Sequence, residues 1–350
     1  MTENVLFSIG DHGVATITLN RPKALNSLSY DMLKSIGQKL KEWETNNQIA
    51  LIVLKGAGSK GFCAGGDIKT LYEARSNEAA LQHAEKFFEE EYDIDTYIYR
   101  YPKPIIACLD GIVMGGGVGL TNGATYRIVT EHTKWAMPEM NIGFFPDVGA
   151  AYFLNQAPGH TGRYVALTAA VLKAADVLYI NAADYYMTTE SLSAFLTEIE
   201  NINWNIQDVH TTLKKIILTF ASTPNAESTL ASILENINTH FSFHSIEEII
   251  DSLEKDGGTF ALQTKETLLS KSPFSLKVTL KQLSEGRNKS IEECFATDLI
   301  LAKNFMRHDD FFEGVRSVVI DKDQNPQYKY KKLSDVSDED VNRFFHLLHV

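Results

Sequence analysis

An α/β architecture, layered or spiral and with a mainly helical second half, is what this sequence predicts. Strand, glycine-rich turn and helix recur at least twice before about residue 200. Beyond that point strand patterning thins out and helix-start signals take over. At 350 residues, 44 % hydrophobic and 22 % charged, the chain is long enough to bury a substantial core.

The elements follow in order. Residues 4 to 20 alternate in VLFSI and VATITL around Gly10-Asp11-His12-Gly13 and predict a hairpin. YDMLKSIGQKLKEWET, residues 30 to 45, has apolar spacing near 3.6 and predicts an amphipathic helix. IALIVLKG, from Ile49, reads as a buried strand, a helical stretch follows around residues 78 to 100, and the whole of 68 to 100 has helical pattern. PIIACLDG, from Pro104, is a second apolar strand, followed by a glycine-rich helix start at Gly115. In the second half, HSIEEIIDSL carries a capping box, Ser245 with Glu248, and NKSIEECFATDLILAKNFM has helical period. A soft boundary falls near residue 200, with no low-complexity linker to mark it.

Charge and cysteine usage narrow the function classes. A formal charge of −12 and a pI near 5.3 disfavour nucleic acid or an anionic membrane as the main partner. Cys63, Cys108 and Cys294 form no CxxC pair, so neither a zinc frame nor a disulfide scaffold is expected. Reduced thiols, and an N-terminus without a basic start and apolar h-region, give the expectation of a cytoplasmic protein. No apolar run of 18 residues predicts a membrane span.

Three signals could carry chemistry. GAGSKG, residues 56 to 61, fits G-x-G-x-x-G after a strand, yet FCAGGD intervenes where a dinucleotide-binding helix would begin. The second signal is a pair of loops, FCAGGDIK (62 to 69) and MGGGVGL (114 to 120), each following an apolar strand. Glycine lets backbone N–H groups approach a ligand without an intervening Cβ, so two such loops could aim two donors at one oxyanion. The same glycines also suit tight turns and close helix packing. The third signal is the pair Glu139 and Asp147 in AMPEMNIGFFPDVGAAYF, with no cation between them. Pro138 and Pro146 argue for an extended connection there, and Met137, Met140, Phe144 and Phe145 would partly desolvate a carboxylate and raise its pKa. The bare residues fit equally a helix cap at Asp147 and a satisfied buried Glu139. HExxH and GxSxG motifs are absent from the sequence, which disfavours a metal centre or a serine nucleophile.

In this order, NRPKALNSLS (20 to 29), FCAGGDIK, PIIACLDGIVMGGGVGL and AMPE resemble the crotonase, or enoyl-CoA hydratase/isomerase, superfamily. GFFPDVGA, HSIEEIIDSLEKDG, KSPFSLKVTLKQL and FFEGVRSVVIDKDQNP extend the resemblance to its 3-hydroxyisobutyryl-CoA hydrolase branch over nearly the whole chain. Two positions depart from that branch: Tyr328 stands where a tryptophan is expected, and Ala150 where a glycine is usual. The resemblance implies a crotonase-type ββα spiral core that binds acyl-CoA over residues 1–200, and a helical C-terminal region over 201–350. It implies cleavage of a short 3-hydroxyacyl-CoA thioester in valine breakdown, with CoA as part of the substrate and no separate cofactor or metal. An enoyl-CoA hydratase or isomerase and a non-catalytic acyl-CoA-binding protein are the alternatives.

By the same resemblance, the oxyanion N–H groups fall on Gly66 and Gly116, and the catalytic acids on Glu139 and Asp147. Backbone around Lys23, Ala24, Leu25, Ala64 and Ile68 would hold CoA, and Glu91, Gly116, Glu139 and Asp147 would contact the acyl group. Hydratases of the superfamily use two glutamates on water: one matches Glu139, but the other falls on Gly119, which has no side chain. Asp147 stands instead where hydratases carry glycine. The sequence leaves open whether Glu139 attacks the thioester or activates water, and whether the protein forms a homo-oligomer.

Overall fold

The computed structural model describes residues 3–206 and 208–348. Its strands run β1 (Val5–Ile9), β2 (Val14–Leu19), β3 (Leu51–Gly56), β4 (Gly61–Cys63), β5 (Ile105–Leu109), β6 (Ile112–Met114), β7 (Tyr126–Val129), β8 (Lys134–Ala136) and β9 (Tyr185–Tyr186). β1 and β2 make the predicted hairpin, antiparallel from Val5 opposite Leu19 to Ile9 opposite Ala15. β2, β3, β5, β7 and β9 continue that sheet in parallel, in the order β1-β2-β3-β5-β7-β9. A second sheet has the order β4-β6-β8, with β4 and β6 parallel.

By their contacts the residues form two compact units, each assembled from three stretches of chain. The first comprises 1–66, 90–135 and 172–228; the second comprises 67–89, 136–171 and 229–350. In the first unit, Val14, Leu51, Val53, Ile106, Cys108 and Ile128 of the large sheet share one apolar cluster with Leu192, Phe195, Ile199, Leu213 and Ile217. The last five come from the helices Thr189–Asn201 and Val209–Phe220, which cover that cluster. The helix Tyr30–Glu44 forms where the apolar period predicts it and is capped by Ser29, whose side chain accepts from the Met32 N–H.

The second unit is helical with an aromatic core. Phe144 lies with its ring centroid 4.6 Å from Phe145, 5.2 Å from Phe305, 5.4 Å from Phe311 and 5.8 Å from Phe88. The capping box of Ser245 and Glu248 is formed at the start of Ile246–Asp256, and Ser290 with Glu293 forms another before Ile291–Phe305. Residues 68 to 100 are not one helix as the pattern suggested. Ile68–Tyr72 and the turn Glu73–Arg75 precede Glu78–Tyr99, and the Asn77 side chain accepts from the Ala80 N–H at 2.9 Å to start that helix afresh.

Candidate active site

The glycine loops leave the carboxyl ends of two neighbouring parallel strands. β4 pairs with β6, Gly61 opposite Ile112 and Cys63 opposite Val113, so the loops after Cys63 and Met114 emerge side by side. A Cβ built on Gly65 would lie 3.1 Å from the Met114 carbonyl oxygen and 3.4 Å from the Gly116 nitrogen, which measures how closely the loops approach. Gly115, at φ 51° and ψ −123°, precedes the helix Gly116–Asn122. The Val118 and Gly119 N–H groups both donate back to the Gly115 carbonyl, at 2.7 and 3.2 Å. Gly116 is thus the first residue of the helix, where an N–H has no intrahelical acceptor.

Glu91, on the helix Glu78–Tyr99, is 2 % exposed and occupies the place where a side chain at Gly116 would go: a Cβ there would overlap its Oε1. Gly66, Gly116 and Glu91 therefore belong to one neighbourhood of the first unit.

Four of the five residues assigned to CoA lie on connected backbone. Lys23 and Ala24 sit in the exposed turn Pro22–Ala24, followed by Leu25 and Asn26 in the left-handed region, at φ 50° and 56°. Buried Asn26 fixes this bend by donating to the carbonyls of Ala57 and Gly61, both at 3.0 Å, and accepting from the Arg21 N–H at 2.9 Å. The Ala64 N–H donates to the Leu25 carbonyl at 3.0 Å, and the Leu28 N–H to that of Gly65 at 2.8 Å, which ties the bend to the first glycine loop. Ile68 opens the helix Ile68–Tyr72, in the second unit.

Both acids lie in the second unit and both are buried, Glu139 7 % and Asp147 5 % exposed. The connection between them is not extended throughout, as the prolines suggested. Glu139–Ile142 is a 3-10 turn, closed by the left-handed Gly143 and by the Phe144 N–H, which donates to the Glu139 carbonyl at 3.1 Å. Pro138 itself takes the bridge conformation, φ −89° and ψ 7°, which lets the turn begin at the next residue. Phe144 and Phe145 then seat the segment in the aromatic core. Burial first, and the negative charge of Asp147 second, push the Glu139 carboxyl well above its ordinary pKa. Among the described residues its Oε2 has no hydrogen-bond partner. Raising the pKa of a carboxyl makes it a stronger base when ionised and lets it hold a proton closer to neutral pH.

Asp147 begins a tight turn. The Ala150 N–H donates to the Asp147 carbonyl at 2.9 Å, and the two central residues, Val148 and Gly149, have φ of 50° and 80°. From outside the segment, Asp298 and Gln282 reach it, a contact the sequence analysis missed. The Gly149 N–H donates to Asp298 Oδ2 at 2.9 Å, while Gln282 Nε2 donates to both Asp298 Oδ1, at 2.7 Å, and the Pro146 carbonyl, at 2.9 Å. A signal was available in the sequence: Asp298 falls at helical spacing from Cys294, Phe295, Leu301 and Ala302, on the buried face of Ile291–Phe305.

Residues 14–345 match the family model described as Enoyl-CoA hydratase/isomerase. The chain belongs to the enoyl-CoA hydratase/isomerase family. Among its members, the Danio rerio protein named "3-hydroxyisobutyryl-CoA hydrolase, mitochondrial" is 41 % identical over 343 residues, covering 97 % of this chain and 89 % of its own. The Homo sapiens protein of the same name is 41 % identical over 337 residues, 94 % of this chain and 85 % of its own. Two solved members share the crotonase α/β fold. A carnitinyl-CoA dehydratase from Mycobacterium thermoresistibile superposes with TM-score 0.91 at 32 % identity, over 99 % of this chain and 97 % of that one. An enoyl-CoA hydratase from Rhodobacter sphaeroides 2.4.1 gives 0.88 at 29 % identity, over 98 % and 97 %.

The relatives' names correct the expectation of a cytoplasmic location, since they point to mitochondria. The cysteines were a poor guide to compartment. All three are buried, and burial pushes the Cys63 and Cys108 thiols up to about 12 and that of Cys294 to about 11. Thiols raised this far stay protonated near neutral pH, which says nothing of compartment.

Proposed function

We propose that this family member hydrolyses 3-hydroxyisobutyryl-CoA to 3-hydroxyisobutyrate and CoA. The observation that carries the reading is the buried pair Glu139 and Asp147, in which burial first and the Asp147 charge second raise the Glu139 pKa, combined with glycine at position 119. With one carboxylate of the hydratase arrangement missing and another supplied by Asp147, the pair suits a thioester carbonyl better than an enoyl double bond.

The amides of Gly66 and Gly116 are assigned to the thioester oxygen, where each donor stabilises the developing charge by about 2.7 to 4 kcal/mol. Glu139 either attacks the carbonyl carbon, giving a mixed anhydride that water then cleaves, or takes a proton from the attacking water. In both routes the C–S bond breaks, the CoA sulfur leaves as thiolate and is protonated, and the acyl group leaves as carboxylate. Asp147 accepts a hydrogen bond from the 3-hydroxyl of the acyl group or from the attacking water. Lys23, Ala24, Leu25, Ala64 and Ile68 hold CoA, and Glu91 contacts the substrate.

The test is the kcat/KM ratio of 3-hydroxyisobutyryl-CoA to isobutyryl-CoA, measured by release of free thiol. A site built around a substrate hydroxyl can reject the analogue lacking it by up to ~10⁴ to 10⁵, because the buried acceptor is left unsatisfied. A large ratio is expected, and 3-hydroxypropionyl-CoA, which lacks only the methyl, should rank second. A ratio below about ten would replace this reading with a broader acyl-CoA thioesterase.

A further inference from the structure

We propose that Asp298, together with Gln282, is the positioning residue for Asp147: it clamps the turn that presents the Asp147 carboxyl. This inference rests on the catalytic role given above to Asp147.

The turn has reason to need a clamp. Asp147 to Ala150 closes on itself with positive φ at both central residues, the pattern of a type I′ turn, which asparagine and glycine adopt readily. The first central residue here is Val148, a β-branched side chain in the left-handed region, where such residues are rare because the conformation is strained. Left alone, the segment would relax to negative φ and swing Asp147 to a new direction.

Two hydrogen bonds from outside oppose that relaxation, one on each side of Asp147. Upstream, Gln282 Nε2 holds the Pro146 carbonyl; downstream, Asp298 Oδ2 holds the Gly149 N–H. The two are joined, since Gln282 Nε2 also donates to Asp298 Oδ1. Asp298 and Gln282 are 0 % and 1 % exposed, so water does not compete for these bonds. A buried carboxyl is costly to keep unless its partners justify it, and here both of its oxygens are used on the frame of this turn. The helices that carry the clamp, Pro273–Gly286 and Ile291–Phe305, are each started by a serine cap, so they are firm supports.

Asp298→Asn separates this role from mere bulk. Asparagine has one acceptor oxygen and one amide nitrogen; whichever way it turns, a donor faces either the Gly149 N–H or Gln282 Nε2. If Gln282 rotates to compensate, its oxygen is brought against the Pro146 carbonyl. Three measurements on the full chain decide the matter. In the thiol-release assay with 3-hydroxyisobutyryl-CoA, D298N should lose at least tenfold in kcat with KM within threefold of wild type, at a temperature where both are folded. Native-state amide exchange at Gly149 should speed up at least tenfold in D298N. Adding Val148→Gly, which removes the strain the clamp resists, should restore at least threefold of the lost kcat.

A D298N enzyme within twofold of wild-type kcat, or a Gly149 amide that exchanges at the wild-type rate, would overturn the proposal. If D298N does not fold, Gln282→Leu takes its place under the kcat and KM criteria alone, since it removes the upstream bond and leaves the Asp298 bond to the Gly149 N–H in position. If the wild-type enzyme releases no thiol from this ester, the function proposed above has failed, and Gly149 exchange still decides the clamp.

Discussion

Glu139 and Asp147 sit in the same unit, where burial and then the Asp147 charge push the Glu139 carboxyl up, and the proposed mechanism gives Glu139 the part of base or nucleophile and Asp147 that of acceptor. Glu139→Gln and Asp147→Asn are nearly isosteric, so both variants should fold, and each should lower kcat by at least ~10², the usual scale of a lost acid or base. A variant that kept more than about half of the wild-type kcat at saturating substrate would remove its residue from the mechanism. Asp298 gives a second prediction at this scale, in stability. Burial chiefly, with the Asp147 charge adding to it, pushes its carboxyl up from an ordinary 3.8 to about 8, against the lowering effect of the Gly149 and Gln282 hydrogen bonds and of Lys289. Between those two pH values the native state holds a proton that the unfolded chain has released, so stability falls as pH rises from about 4 to about 8. In thermal melts the wild-type stability relative to Asp298→Asn, which cannot titrate, should fall over that range.

At the scale of elements, the glycine-opened helix Gly116–Asn122 is the most sensitive. Gly116→Ala would force its Cβ into the Glu91 carboxyl, and either the helix start or Glu91 must shift. At least ~10² should be lost in kcat if the Gly116 amide is an oxyanion donor, on the scale of removing one such donor. Activity within threefold of wild type, measured by thiol release, would count against that assignment. Most of these elements could be read in the sequence, because their signals are local. The alternation of VLFSI and VATITL, the spacing of the residues in Tyr30–Glu44 and the Ser245–Glu248 box each fix geometry within a few residues. The 3-10 turn at Glu139 was missed, since two prolines seemed to demand an extended chain and Pro138 took a sparsely used conformation instead. The helix from residue 78 was read, but helical pattern was also carried back to 68 through Asn77, because a capping side chain inside such a pattern looks like any other polar residue.

For the molecule as a whole, the hydrolase reading supported by the 41 % identical relatives separates it from two solved relatives that carry the titles dehydratase and hydratase. Gly119 decides the expectation: without a carboxylate there, water lacks one of its two holders. Crotonyl-CoA should therefore keep the absorbance of its conjugated thioester when incubated with this enzyme. Rapid loss of that band without thiol release would establish a hydratase. The family and the fold were legible because their motifs are contiguous, whereas the clamp was not, because its partners come from distant parts of the chain. That distance has a consequence for the order of events during synthesis. Gly149 leaves the ribosome 149 residues before Asp298, which at 5–20 residues per second is a wait of roughly 7 to 30 s. Through that interval Phe144, Phe145 and the strained turn lack Phe305, Phe311 and Asp298, so the segment bearing both acids waits for its packing partners until most of the chain has been made.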